Sequence, residues 1–197
     1  MRFTETSLAG AFVVEPEPIE DERGWFARTF CTREFREHGL EPHLEQCNVS
    51  WNRRRGTLRG MHLQIAPHEE IKLVRCTAGA VHDVIVDLRP DSPTYRRWQG
   101  VELSARNRRM LYIPAGLAHG FVTLTDESEL FYQMSTAYHP ASARGVRFDD
   151  PALGIVWPVP IEVVSEKDRR YPDFSTSLEA ELRAAQVGQV GRVGQVG

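Results

Sequence analysis

"RMLYIPAGLAHGFVTLTDESELFYQM", residues 109–134, holds three short apolar runs parted by turn residues. "RMLYI" (109–113) is closed by Pro-Ala-Gly, "GFVTL" (120–124) by Thr-Asp-Glu-Ser, and "ELFYQM" (129–134) follows. Runs this short, punctuated by glycine, proline and small polar residues, read as strands rather than helices. In the last of them, period-2 alternation sets Leu130, Tyr132 and Met134 on one face and Phe131 and Gln133 on the other. The pattern repeats upstream, where "KLVRC" (72–76) ends at Thr-Ala-Gly and "VHDVIVDL" (81–88) at "RPDSP". Strands of this length at this spacing predict an all-β antiparallel sandwich or barrel.

Helical patterning appears in two places. Thr32 is placed to cap "REFREHGL", with Gly39 near its end, and "TSLEAELRAAQ" (176–186) carries Thr176 and Glu179 at capping-box spacing. Residues 186–197 are x-V-G triplets without proline, which reads as a disordered tail after a single domain over 1–185.

A chain of 197 residues with 41% hydrophobic and 26% charged content is long enough to bury a core. The formal net charge of −3 gives no bias toward nucleic acid, and no apolar run is long enough to span a bilayer. The N-terminal stretch lacks the uninterrupted apolar core of a signal peptide. Cys31, Cys47 and Cys76 are widely spaced and odd in number, so neither a zinc knuckle nor a disulfide framework is indicated. Three reduced thiols in a cytoplasmic protein is the expectation.

Two histidines sit in patterned surroundings. Pro114, Gly116 and His119 make P-x-G-x-x-H, similar to a signature of the cupin superfamily, small jelly-roll barrels in which a turn delivers the histidine to the interior. Metal-binding cupins add an H-x-H and a later glutamate. The matching stretch here is His62-Leu63-Gln64, followed by His68, Glu69 and Glu70. His62 and His68 are evenly spaced for one strand face, but Pro67 ends or bends a strand there. A His/Glu metal site therefore lacks one expected ligand. His62 could equally be a packed core histidine, or a base, since an imidazole of pKa about 6.5 accepts protons near neutrality. Lys72 could steady an oxyanion, and Tyr132 could be an opposing acid or a core aromatic with a satisfied hydroxyl. The residues alone leave these readings open.

A wider resemblance narrows them. "DERGWFARTF" (21–30), "QCNVS" (46–50), "LRGMHLQ" (58–64), "KLVRCTAGAVHDVIVDLRPDSPTYRRW" (72–98), "IPAGLAHGFVTL" (113–124) and "DDPALGIVWP" (149–158) together resemble the dTDP-4-dehydrorhamnose 3,5-epimerases. The resemblance implies a cupin jelly-roll barrel with a few short peripheral helices, working without metal or cofactor as a homodimer. Its substrate would be a dTDP-linked 4-keto-6-deoxyhexose, inverted at C3 and C5, with no nucleic-acid or membrane partner. The 4-ketone is what makes such chemistry feasible, because a carbanion beside it delocalises as an enolate. A gap on the order of ten pKa units to a histidine base still leaves roughly 14 kcal/mol for the site to offset.

Carried over by position, the resemblance implies that His62 is the general base, Asp168 in "SEKD" its orienting carboxylate, Tyr132 the acid and Lys72 the enolate-stabilising cation. Arg59, His119, Gln46 and Asn48 would line the sugar and diphosphate pocket, and Tyr138 would stack on the thymine. Arg23 would reach the nucleotide from the partner subunit, and Phe26 and Arg28 lie in the same substrate-contacting segment. Two departures bear on specificity. Many family members carry a glutamate where this chain has Arg28, and another glutamate is replaced around Ala143-Arg144. Similar epimerases that invert a single centre, a metal-dependent cupin enzyme and a non-catalytic sugar-nucleotide binder are the alternatives.

Overall fold

The computed structural model describes residues 1–174 and 178–184. Along the chain come β1 (Arg2–Glu5), β2 (Phe12–Glu15), β3 (Ile19–Asp21), β4 (Gly24–Phe26), α1 (Thr32–Glu37), β5 (Gln46–Asn52), β6 (Thr57–Gln64) and β7 (Lys72–Ala78). There follow β8 (Ala80–Asp87), β9 (Trp98–Ser104), β10 (Met110–Ile113), β11 (Leu117–Thr123), β12 (Ser128–Met134), β13 (Ala143–Gly145), β14 (Val163–Val164) and α2 (Glu166–Arg169). Residues 178–184 are also helical.

Two sheets face each other. One has the order β1-β2-β10-β7-β12-β5, and the other β13-β6-β11-β8-β9 with β14 added parallel to β6. The strand spacing predicts this all-β antiparallel architecture, and the jelly roll is the one that the family resemblance implies. Its layers follow from alternation along strands that are apolar on both sides. In β8, Val81 and Ile85 enter the core between the sheets while Val84 and Val86 point outward. The inter-sheet core adds Val74 and Cys76 from β7, Leu111 and Ile113 from β10, and Leu130 from β12. On the outer face of the second sheet, Met61, Leu63, Val84 and Ala118 are covered by Phe174, Leu178 and Leu182. On the outer face of the first, Leu73, Met110 and Tyr112 pack under Phe35 of α1.

The same alternation fixes the polar side chains. Val74 of β7 is inward, so Lys72 is inward; Leu130 of β12 is inward, so Tyr132 is too. Met61 and Leu63 of β6 point outward, which turns His62 between them toward the interior. His119 lies between the outward Ala118 and a glycine, two residues from each of the inward Leu117 and Phe121. Four residues expected at the site thus share one inter-sheet space.

The capping expectation for α1 needs correction. Cys31, in extended conformation and without a side-chain cap, is the N-cap, and Thr32 is already the first helical residue. Burial of Phe35 holds this short helix, and Gly39 at φ +70° ends it, with the Leu40 N–H reaching back to the Phe35 carbonyl at 2.9 Å. The Thr176 cap and the 186–197 tail fall outside the described residues. Among the described residues no helix is long and apolar enough to cross a membrane.

Candidate active site

The inward polar residues open onto a cavity of about 660 Å3, a size suited to a ligand with several rings. His62 lies on β6 and pairs in register with His119 of β11. A bulge follows His119, and there Gly60 and Gly120 approach so closely that a Cβ on Gly60 would lie 2.5 Å from the Gly120 Cα. Gly60 also holds φ +136°, a conformation that side-chain-bearing residues rarely adopt. This leaves the Gly60 N–H free to bond out of the ladder to an Asp168 oxygen at 3.3 Å.

Asp168 arrives by a separate route. The short β14 pairs parallel to the start of β6, and the chain then turns into α2, whose N-cap Ser165 accepts from the Asp168 N–H at 3.1 Å. The buried carboxylate meets His62 Nε2 at 2.7 Å. Burial by itself would raise the Asp168 pKa. The hydrogen bond and charge of His62, with the Gly60 N–H and Ser165, outweigh it and hold the carboxyl below its usual range. Asp168 therefore stays an anion beside the imidazole.

Across the cavity, Tyr132 projects from the opposite sheet, with its hydroxyl 3.1 Å from Ser50 Oγ on β5. Burial pushes the Tyr132 phenol well above its ordinary pKa, against the partial opposition of the Ser50 hydrogen bond. The His119 ring stands edge to face with Tyr132, centroids 6.1 Å apart, and its Nε2 is bound by both oxygens of buried Asp83 at 2.9 and 3.0 Å. Lys72 donates to the His62 carbonyl at 3.3 Å and pairs with Glu70 at 2.8 Å.

The other expected residues divide. Arg59, Asn48 and Tyr138 line the same cavity. Arg59 donates from Nε to Asn52 at 2.7 Å. Gln46 is not among the lining residues, and its side-chain oxygen accepts from the Tyr138 N–H at 3.1 Å. Arg23, Phe26 and Arg28 do not reach the cavity within this chain. Arg23 and Phe26 belong to the exposed β3–β4 hairpin, where Arg23 pairs with Asp21. Arg28 donates to Glu34 of α1 at 2.8 Å. That bond and the N-terminal amine bring the Glu34 carboxyl down to about 2. Arg144 is likewise engaged by a carboxylate, that of Glu181. His68 does not share a face with His62. It stacks on His139 with centroids 3.6 Å apart, and among the described residues no group of three or more His, Cys, Asp or Glu is placed to hold a metal ion.

Sequence reasoning missed several members of this site, Ser50, Asp83, Lys167 and Tyr171, and took Glu70 only as a candidate metal ligand. Lys167 and Tyr171 line the cavity beside Asp168, with the ammonium 6.0 Å from the Tyr171 ring. Asp83 carried a usable signal, because an acidic residue between the inward Val81 and Ile85 is buried by alternation and needs a partner.

A jelly roll whose facing sheets present a carboxylate-bound histidine and a buried tyrosine to one cavity has a cupin-type pocket with a proton-carrying group on each wall. Comparison with known proteins makes this specific. The family model for dTDP-4-dehydrorhamnose 3,5-epimerase matches residues 5–176. The chain is 47% identical over 173 residues to the dTDP-4-dehydrorhamnose 3,5-epimerase of Methanothermobacter thermautotrophicus, covering 86% of this chain and 92% of the relative. Its fold superposes with a TM-score of 0.86 on the crystal structure of the Elizabethkingia anophelis epimerase, at 41% identity over 88% of this chain and 96% of that one. A 3′-monoepimerase from Streptomyces bikiniensis, solved with dTDP-quinovose, matches at 36% identity and a TM-score of 0.84, covering 93% and 95% of the two chains. The chain belongs to the dTDP-4-dehydrorhamnose 3,5-epimerase family.

Proposed function

We propose that the chain is a cytoplasmic, homodimeric epimerase that inverts C3 and C5 of dTDP-4-keto-6-deoxyglucose to give dTDP-4-keto-rhamnose. The observation that carries this reading is the placement of His62 and Tyr132 on facing sheets of one cavity. Inverting a carbon centre requires removing a proton from one side and returning it from the other. Opposed walls supply that geometry, and binding fixes the sugar ring between them.

Asp168 accepts from Nε2–H of His62, so the lone pair resides on Nδ1, and that nitrogen takes the C3 proton. The electrons left on C3 move into the C4 carbonyl as an enolate. Lys72 donates to the developing oxyanion, which offsets much of the enolisation cost. Tyr132 then gives its proton to C3 from the opposite side. The raised phenol pKa keeps that proton in place until a carbanion, a far stronger base than phenolate, demands it. His62 loses its proton to solvent, Tyr132 recovers one, and the cycle repeats at C5.

The cations Arg59 and Lys167 on the cavity wall suit a diphosphate, and exposed Tyr138 suits stacking on a flat pyrimidine. In the homodimer, Arg23, Phe26 and Arg28 of each chain serve the partner's nucleotide site. The β3–β4 hairpin supports this, since its Ile19 and Phe26 are largely exposed and its half-exposed Trp25 carries only the Arg108 guanidinium over its ring.

The test is proton NMR in deuterated buffer with dTDP-4-keto-6-deoxyglucose. Loss of both the C3-H and C5-H signals with a changed ring configuration is expected. Exchange and inversion at one centre alone would replace the double assignment with a single-centre epimerase, and exchange at neither would refute the reading.

A further inference from the structure

We infer that Glu70 is a positioning residue that holds the Lys72 ammonium on the cavity wall. This rests on the proposed role of Lys72 as the donor to the enolate oxygen. An ammonium has three N–H donors. One of them reaches the His62 carbonyl at 3.3 Å, and the Glu70 carboxylate forms an ion pair with the ammonium at 2.8 Å. One hydrogen bond and one ion pair hold the ammonium in place on the cavity that Lys72 and Glu70 both line, where its remaining hydrogen-bonding capacity can meet a ligand. A lone lysine on a four-carbon stem would sample many rotamers; one held at two points is oriented before the oxyanion forms.

The segment carrying Glu70 is itself tied down. Immediately before it, the Glu69 carbonyl accepts from Thr136 Oγ1 at 2.8 Å. Immediately after it, Ile71 exchanges bonds with Ser135, its N–H donating to Ser135 Oγ at 2.9 Å and its carbonyl accepting from the Ser135 N–H at 3.0 Å. Farther back, the His68 carbonyl accepts from Gln64 at 3.1 Å and the His68 ring stacks on His139. The His68-Glu69-Glu70 run, a stretch with metal-binding residue types, thus serves to mount one carboxylate. Charge is not the point of that carboxylate, because beside an oxyanion-stabilising cation a negative group only weakens the field. Reach and direction are what it contributes.

Position and charge separate in two variants. Glu70→Gln keeps the reach and an acceptor oxygen for Lys72 but drops the charge; Glu70→Asp keeps the charge but withdraws it by one methylene. Epimerisation kinetics and nitrogen-15 NMR of the Lys72 ammonium, assigned by its absence in Lys72→Arg, are read on both. Glu70→Asp is expected to lower kcat about 10- to 100-fold with KM within about threefold, and to move the ammonium signal away from its wild-type position. Glu70→Gln is expected to retain that signal and to stay within about tenfold of the wild-type kcat. Wild-type turnover in Glu70→Asp, a change confined to KM, or equal loss in both variants would overturn the inference. So would the absence of a hydrogen-bonded Lys72 ammonium signal in the wild type. A wild-type protein that exchanges no sugar proton would refute the epimerase reading, while the ammonium signals would still decide whether Glu70 holds Lys72.

Discussion

His62 and His119 are register partners across the β6–β11 ladder, yet each is bound through Nε2 to a different carboxylate: His62 to Asp168 from α2, His119 to Asp83 from β8. The two imidazoles are thereby set for different work. Asp168 reaches only one edge of a half-exposed ring and leaves Nδ1 to the cavity, whereas His119 and Asp83 are both buried.

The first consequence concerns Asp168. Asp168→Asn keeps the shape of the side chain but removes the anion that selects the His62 tautomer. Turnover is expected to fall by roughly 10³-fold, by analogy with other carboxylate-oriented histidines, with little change in KM and an unchanged circular dichroism spectrum. Steady-state kinetics on the folded variant checks this.

Tyr132→Phe separates proton removal from proton return. His62 can still abstract a proton and exchange it with solvent, but nothing remains on the far wall to complete the inversion. Deuterium wash-in that outpaces change of configuration is the expected NMR result. Equal loss of both would place Tyr132 in binding instead.

Acid stability follows from depressed carboxyls, of which Asp168 and Asp87 are buried. Burial works to raise both Asp168 and Asp87. It is outweighed at Asp168 by His62, and at Asp87 by hydrogen bonds from Arg89, Ser92 and Thr94. A carboxyl whose folded pKa lies below its unfolded value stabilises the fold fully above the unfolded value and loses that contribution as pH falls through the folded one. Denaturant melts are therefore expected to be flat from neutrality to about pH 5 and to decline as the pH falls below the 3.8 reference value. Asp87→Asn should flatten part of that decline and cost about 3 kcal/mol at pH 7, because it leaves the Arg89 guanidinium without its charged partner.

The close contact at the bulge gives a stability test near the site. Gly60→Ala places a Cβ against the Gly120 backbone at a positive φ, so a loss of about 3 kcal/mol is expected. Gly39→Ala, also at positive φ but with open space around it, should cost only about 1 kcal/mol. Paired urea melts decide it, and equal losses would show that backbone conformation rather than steric contact sets the cost.

Much of this architecture is legible in the sequence because β-strand alternation is a local signal. Once Leu130 is assigned inward, Tyr132 follows, and the five runs read between Lys72 and Met134 overlap β7, β8, β10, β11 and β12, although β11 begins earlier, at Leu117. Other features are not local. β9 is not among the strands read from the sequence; its Gly100 makes room for the His82 ring, 2.1 Å from where a Cβ would stand. The pairing of Asp168 with His62 joins residues 106 positions apart through the parallel β14–β6 contact, which no periodicity announces. Family resemblance points to that pair, and the geometry supplies the reason for it. The opposite holds for Glu70, where a run of metal-type residues suggests ligands and only the fold reveals a support for Lys72.

The central claim is that His62 removes the sugar proton, and the most direct measurement is deuterium uptake by dTDP-4-keto-6-deoxyglucose with wild-type protein and His62→Ala side by side. The account expects exchange at C3 and C5 with the wild type, and none above the buffer rate with a His62→Ala variant that still binds dTDP. Exchange persisting at the wild-type rate in His62→Ala would contradict it and return the role of base to another residue of the cavity.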